Sequence, residues 1–122
     1  MQWTKERKHP RFKAAVPVEL RPPGAASPLR AQTSDICLGG CYVEMTSTQA
    51  VSREVDITLW LGTTKVQAHG VVVSNHPAYG NGIKFTQVGY DGLARLQEFV
   101  ESLNPFGRAL AKPDGKSTVS QR

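Results

Sequence analysis

Apolar and polar residues alternate along the segment 55–61, where Val55, Ile57, Leu59 and Leu61 occupy every second position. A period of two places these four side chains on one face of a β-strand, so the segment predicts a strand with one buried side. Turn-forming residues follow at 62–64, and another apolar-rich segment begins at residue 65. This pattern of strand, turn and strand restricts the chain to folds that are built on β-structure.

Short strands separated by connections rich in glycine and proline recur along most of the chain. The predicted strands cover residues 16–20, 29–36, 41–45, 55–61, 65–73 and 82–85, and the main predicted connections cover residues 21–28, 62–64 and 75–81. Many short strands with such turns are typical of a β-barrel or a β-sandwich.

One helix is predicted near the end of this region, at residues 91–103. Its apolar residues recur at helical spacing, which indicates a face that packs on the core rather than a site for a partner. These residues are Leu93, Leu96, Phe99, Val100 and Leu103. Asp91 is either the N-cap or a first-turn residue, where a carboxylate suits the helix dipole. Pro105 ends the helix.

The chain has 122 residues, a net charge of +5 and a pI of about 9.5. The length favours one domain, and the charge favours an anionic partner without naming one. Cys37 and Cys41 are too close in sequence for a secreted disulfide framework. No apolar run is long enough for a membrane helix, and residues 1–6 lack the apolar centre of a signal peptide. We therefore expect a reduced, cytoplasmic protein.

The chain is predicted to have three parts. Residues 1–14 are strongly basic and contain Pro10, which argues against a helix, so they predict a mobile, extended arm. Residues 15–104 hold the predicted strands and the helix. Residues 105–122 contain few apolar groups and are predicted to be a disordered tail.

Two arginines, Arg7 and Arg11, lie four positions apart on the predicted arm. A guanidinium group is planar, permanently charged and donates in a fork that fits phosphate oxygens or the O6 and N7 atoms of guanine. The pair can therefore grip both parts of one guanine nucleotide. The alternative is a set of solvated charges on a basic arm.

A second short motif begins about 25 residues later and contains Asp35, Cys37 and Gly40. A carboxylate can accept hydrogen bonds from the N1 and N2 donors of guanine, and residue 37 lies on the same strand face as Asp35. Gly40 permits a positive φ or the close approach of a ligand to the backbone. The alternative is a bulge or turn in which Asp35 caps local amides.

The order and spacing of these motifs resemble the PilZ domain family, bacterial receptor modules for cyclic di-GMP. The family signature is Arg-x-x-x-Arg followed by Asp/Asn-x-Ser-x-x-Gly. Arg7 and Arg11 match the first motif, and Asp35 and Gly40 match the second, while Cys37 stands where the family usually has serine. The segment 82–85 and the helix after it resemble the end of the family's domain, so the likeness spans about residues 5–103.

The resemblance implies a six-stranded antiparallel β-barrel with a C-terminal α-helix, which binds cyclic di-GMP on its outside. Arg7 and Arg11 would contact phosphate and guanine, Asp35 and Cys37 would contact a guanine base, and Gly40 would shape the strand beneath. Lys8 and His9, within the arm, are weaker candidates for contact. Because a thiol is a weaker hydrogen-bonding group than a hydroxyl, Cys37 is expected to weaken binding without abolishing it.

Other functions receive less support from the sequence. The cysteines and histidines match no common metal-site spacing, and neither a nucleophile elbow nor a phosphate-binding loop is present, so we expect no metal, no cofactor and no enzyme. The leading hypothesis is a cyclic di-GMP receptor that relays the signal to an unidentified protein partner. The alternative is a PilZ-like adaptor that binds protein and no nucleotide. Nucleic acid binding ranks last, because the strands offer few exposed aromatic residues.

Overall fold

The structure, a computed structural model, describes residues 10–103. Seven strands and one helix occupy this range. They are β1 (Phe12–Lys13), β2 (Pro17–Arg21), β3 (Leu29–Cys37), β4 (Gly40–Glu44), β5 (Glu54–Leu61), β6 (Thr64–His76), β7 (Gly80–Val88) and α1 (Tyr90–Ser102). No helix within residues 10–103 is long and apolar enough to cross a membrane.

Six of the strands close into an antiparallel barrel. The ladder runs in the order β3, β2, β5, β6, β7, β4, and the pairing of β4 with β3 completes the circle. This confirms the six-stranded antiparallel barrel with a C-terminal helix. The short strand β1 is additional and lies beside β3.

The predicted period of two in β5 is present in the barrel. Val55, Ile57, Leu59 and Leu61 are all buried in the central cluster, while Asp56 lies exposed between them. Closing the sheet leaves one inner face, and every second residue of β5 lies on it. The apolar alternation therefore determines which side of this strand faces the core and which side faces outwards.

The helix covers the core mainly through Leu96 and Val100, which are buried. Phe99 and Leu103 pack partly against the same cluster, whereas Leu93 is 39% exposed, so the apolar stripe is narrower than its sequence spacing indicates. Gly89 is the N-cap and makes no side-chain cap, and Asp91 lies in the first turn. The first-turn alternative for Asp91 is thus the one observed.

The predicted connection 75–81 was too long, because most of it belongs to two paired strands. β6 continues to His76 and β7 begins at Gly80, so the turn holds only three residues. Asn81 shows why a turn-forming residue fits inside a sheet. Its buried amide accepts from the Gln49 backbone N–H at 2.8 Å and donates to the carbonyls of Gln49 and Ser74. These bonds fasten the 45–53 connection to the barrel.

Candidate ligand-binding site

The strand pairing of β1 brings Arg11, the second arginine of the motif, against the Asp35 motif. Phe12 pairs with Ile36 and Lys13 pairs with Asp35 in an antiparallel ladder. The last residues of the predicted arm therefore belong to the sheet. The other arm candidates, Arg7, Lys8 and His9, lie outside the described residues, as does the predicted tail 105–122.

Arg11 is the arginine of the motif that the structure describes, and it lies beside Asp35. Its Nη1 atom is 4.0 Å from Oδ1 of Asp35, and the two side chains are 38% and 26% exposed. This distance is compatible with an ion pair but too long for a hydrogen bond. A planar cation and a carboxylate thus share one partly open site on the outside of the barrel.

A β-bulge in β3 turns Asp35 outwards. The register between β3 and β4 shifts between Thr33 and Asp35, so Ser34 is an extra residue with no partner across the ladder. Thr33 and Ile36 are both buried, although they are three positions apart. Strict alternation would place Asp35 on the same side as Thr33, whereas the extra residue places it on the outer face.

The Asp35 carboxylate retains hydrogen-bonding capacity. Its Oδ1 atom is shielded from solvent, yet it has no hydrogen-bond partner among residues 10–103. Such an atom is costly to leave unsatisfied, since buried polar groups are nearly always paired. An N–H donor on a ligand would satisfy it once the groups that shield it move aside.

Cys37 lies two residues further along the same strand, with the core residue Ile36 between the two. Its side chain is 8% exposed, and its Sγ atom accepts a hydrogen bond from the Gly39 backbone N–H at 3.3 Å. The sulfur therefore holds the tight turn between β3 and β4. Its own proton stays available as a weak donor at the edge of the site.

Gly40 has a structural role that the sequence interpretation did not identify. Its φ is not positive, and a Cβ at this position would lie 2.1 Å from the carbonyl oxygen of Ile83 on β7. The close approach at Gly40 is therefore made by β7, a strand of the barrel. Glycine is required here for β4 to pair with β7, whatever a ligand contributes.

Thr33 fixes the path of the chain between the arm and the barrel. Its buried hydroxyl accepts from the Val16 backbone N–H at 2.9 Å and donates to the Ala14 carbonyl. These two bonds span the irregular segment between β1 and β2. They set where β1, and with it Arg11, lies along β3.

We expect Thr33→Val to lower the free energy of unfolding by about 1–3 kcal/mol, because it leaves buried backbone groups at Ala14 and Val16 without a partner. Thr33→Ser keeps the hydroxyl and serves as the matched control. Urea unfolding of the two variants is the measurement. A valine variant as stable as the serine variant would show that the hydroxyl does not hold this segment.

The sequence interpretation did not select two residues of the outer face, of which Tyr42 lies next to Asp35 and His76 contacts Tyr42. Tyr42 of β4 pairs with Asp35 across the ladder, and its hydroxyl shares a hydrogen bond of 2.9 Å with Nδ1 of His76 on β6. The only sequence signal for Tyr42 is its position two residues after Gly40 on the outer face of a strand. His76 is distant in sequence and had been assigned to a turn.

The neighbouring Cys41 points inwards and has a different character from Cys37. It is buried in the central cluster as a free thiol. Burial raises its pKa far above the ordinary value of a thiol, the charges of Cys37 and Asp35 raise it further, and Arg11 opposes them. Cys41 is thus a neutral core residue.

Comparisons with known proteins identify the family of the chain. The family model for the PilZ domain matches residues 5–102. The chain belongs to the PilZ domain family. No curated protein matches the chain significantly.

Several solved PilZ structures share the fold at low sequence identity. The PilZ domain of YcgR from Escherichia coli, solved with c-di-GMP, is 16% identical with a TM-score of 0.68, and the match covers 86% of this chain and 96% of that domain. The Bacillus subtilis inhibitor of motility, MotI/DgrA, is also 16% identical with a TM-score of 0.68, over 88% of this chain and 53% of that protein. The Borreliella burgdorferi protein PlzA, in complex with c-di-GMP, is 13% identical with a TM-score of 0.63, over 80% of this chain and 42% of that protein. This PilZ domain therefore spans about half the length of the larger proteins and nearly all of the isolated domain.

Proposed function

We propose that this PilZ domain is a cyclic di-GMP receptor, which binds the dinucleotide between its arginine arm and the strand that carries Asp35. The observation that carries the proposal is the pairing of Lys13 with Asp35, which leaves Arg11 4.0 Å from the carboxylate on the outer face. Two motifs that are separate in sequence thus meet at one place. The structures of PilZ domains with c-di-GMP support the choice of ligand.

Each group of the site has a chemical role in the proposal. Arg11, with Arg7, donates to phosphate oxygens and to the O6 and N7 atoms of guanine. Asp35 accepts from the N1 and N2 donors of a guanine base, which satisfies the shielded Oδ1 atom. Cys37 adds a weak contact, and Gly40 holds β4 and β7 together beneath the ligand.

The proposed signal is the ordering of the arm. A dinucleotide that bridges the arm and β3 would fix the part of the arm that precedes β1 over the barrel, which creates a surface that a downstream protein can read. The identity of that partner, whether it acts in motility, adhesion or exopolysaccharide production, does not follow from the site.

Calorimetric titration of the chain with cyclic di-GMP tests the proposal, with GMP as the control ligand. We expect saturable heat with the dinucleotide. GMP should bind far more weakly, because it offers only one of the two nucleotides that the arm and β3 hold. The fitted stoichiometry gives the number of ligands per domain. Absence of heat at micromolar protein would instead support the adaptor that binds no nucleotide.

We expect Cys37→Ser to tighten binding by a few-fold to about tenfold, since one neutral hydrogen bond contributes about 0.5–1.5 kcal/mol. A serine hydroxyl can accept from the Gly39 N–H as the thiol does, and it donates to a ligand more strongly. The same titration measures the change. Unchanged or weaker binding by the serine variant would remove Cys37 from the set of ligand contacts.

A further inference from the structure

An aromatic residue continues the outer face of the candidate site beyond Asp35. Tyr42 is the direct cross-strand partner of Asp35, and such partners on one face have Cβ atoms about 5 Å apart. On its other side Tyr42 pairs with Gly82 of β7, and its ring lies over Gly80, where a Cβ would be 2.7 Å from the ring atom Cε2. Neither glycine has a side chain that would rise beside the ring.

The orientation of the Tyr42 ring is fixed by His76. The hydroxyl and Nδ1 of His76 share the 2.9 Å hydrogen bond, and the two ring centroids are 5.7 Å apart with 41° between the planes. Two aromatic rings and the Asp35 carboxylate thus form one continuous outer surface across β3, β4, β7 and β6.

We propose that Tyr42, held by His76, is a stacking surface for the guanine base that Asp35 binds. The inference rests on the proposed function and adds a ligand contact beyond the arginines, Asp35, Cys37 and Gly40. Asp35 is flanked by Lys13 of β1 on one side and by Tyr42 of β4 on the other, so a purine whose N1 and N2 donors point at Asp35 and whose ring extends over β4 lies on Tyr42. An aromatic ring provides a face on which any base can stack.

The electrostatics of Tyr42 agree with this placement. Burial raises the pKa of its phenol, and the charges of Asp35 and Glu44 raise it further. The phenol is therefore neutral at physiological pH, so no phenolate charge opposes a ligand that carries two phosphates.

A purely structural role for Tyr42 is the competing explanation, because its ring also covers Gly80 in the sheet. The two roles differ in what they require. Covering glycine requires bulk, and leucine supplies much of it. Stacking requires an aromatic face, which tryptophan supplies and leucine does not.

The test is titration of cyclic di-GMP into Tyr42→Leu, Tyr42→Trp and the control Tyr90→Leu, each first checked for folding by thermal unfolding. Tyr90 is 91% exposed at the start of α1, away from β3 and β4. We expect Tyr42→Leu to weaken binding by about 5- to 100-fold, the range of one base–aromatic stack. Tyr42→Trp should stay within a few-fold of the unmodified chain, and Tyr90→Leu should be unchanged.

Proton NMR supplies a readout that a structural role would not change. A ring current from Tyr42 should move a guanine H8 resonance of the bound ligand upfield, and Tyr42→Leu should abolish that shift at saturating ligand.

Binding by Tyr42→Leu equal to the unmodified chain, with Arg11→Ala weakened, would overturn the inference and leave the proposed function intact. Equal weakening by leucine and tryptophan together with lost stability would assign Tyr42 to the sheet alone. No binding by the unmodified chain would overturn the proposed function and the inference together.

Discussion

Gly40→Ala is expected to lower the free energy of unfolding by about 3 kcal/mol or more, at the upper end of what overpacking costs. The added methyl group would lie 2.1 Å from the carbonyl oxygen of Ile83. That oxygen belongs to the backbone of β7, so it cannot move away as a flexible side chain can. Relief requires the separation of β4 from β7, two strands that pair over five residues. Urea unfolding followed by circular dichroism measures the loss.

Gly89→Ala is the matched control for this prediction. A Cβ at Gly89 meets no atom within 4 Å, and its φ of −59° suits any residue. This variant should change the free energy of unfolding by less than about 1 kcal/mol, because alanine restricts the unfolded chain but is a poorer N-cap residue than glycine. If Gly40→Ala were as stable as Gly89→Ala, the close approach of β7 would not explain this glycine. A loss of ligand binding in a destabilised Gly40 variant is no evidence of a ligand contact.

Arg11→Ala is expected to weaken cyclic di-GMP binding by about 10- to 150-fold, since a hydrogen bond to a charged group contributes about 1.5–3 kcal/mol. The guanidinium lies at the point where the arm meets Asp35, so its loss removes both a phosphate donor and the positive charge that faces the carboxylate. Arg11→Lys keeps the charge but loses the planar fork. Its affinity should therefore fall between that of the unmodified chain and that of Arg11→Ala. Calorimetric titration at fixed ionic strength measures the three affinities.

Lys65→Ala controls for the general effect of charge. Lys65 is exposed, lies on β6, three strands from β3 in the barrel order, and its removal lowers the net charge by the same amount. A change in overall charge alone would weaken both variants equally, and by less at higher salt. We expect Lys65→Ala to stay within a few-fold of the unmodified chain. Equal losses in the two variants would contradict a specific role for Arg11.

The strands of the barrel were predictable where the sequence pattern depends only on neighbouring residues. The alternation in 55–61 depends only on which residues face the core, so the strand and its buried side followed from the sequence. The limits of β6 and β7 did not follow, because Asn81 has the composition of a turn but uses its amide to hold Gln49. A side chain that bonds to a distant loop leaves no periodic signal.

The candidate site was predictable only in part, for a similar reason. The motifs identified Arg11 and Asp35, but their meeting depends on the Thr33 hydroxyl and on the extra residue Ser34 in β3. The bonds of the Thr33 hydroxyl and the shift in register at Ser34 both depend on how one strand lies against another. The role of Gly40 against β7 and the position of Tyr42 beside Asp35 also arise from strand pairing, so neither could be read from the chain alone.

In the proposed function, the arm and the Asp35 strand form one ligand site on the outer face of β3 and β4. Titration of the isotopically labelled chain with cyclic di-GMP, followed by amide NMR, tests it most directly. We predict that the amides of residues 11–13 and 35–42 shift together along a single binding isotherm, while those on the outer face of β2 and β5 stay in place. Shifts confined to another face of the barrel, or different isotherms for the two segments, would contradict the claim.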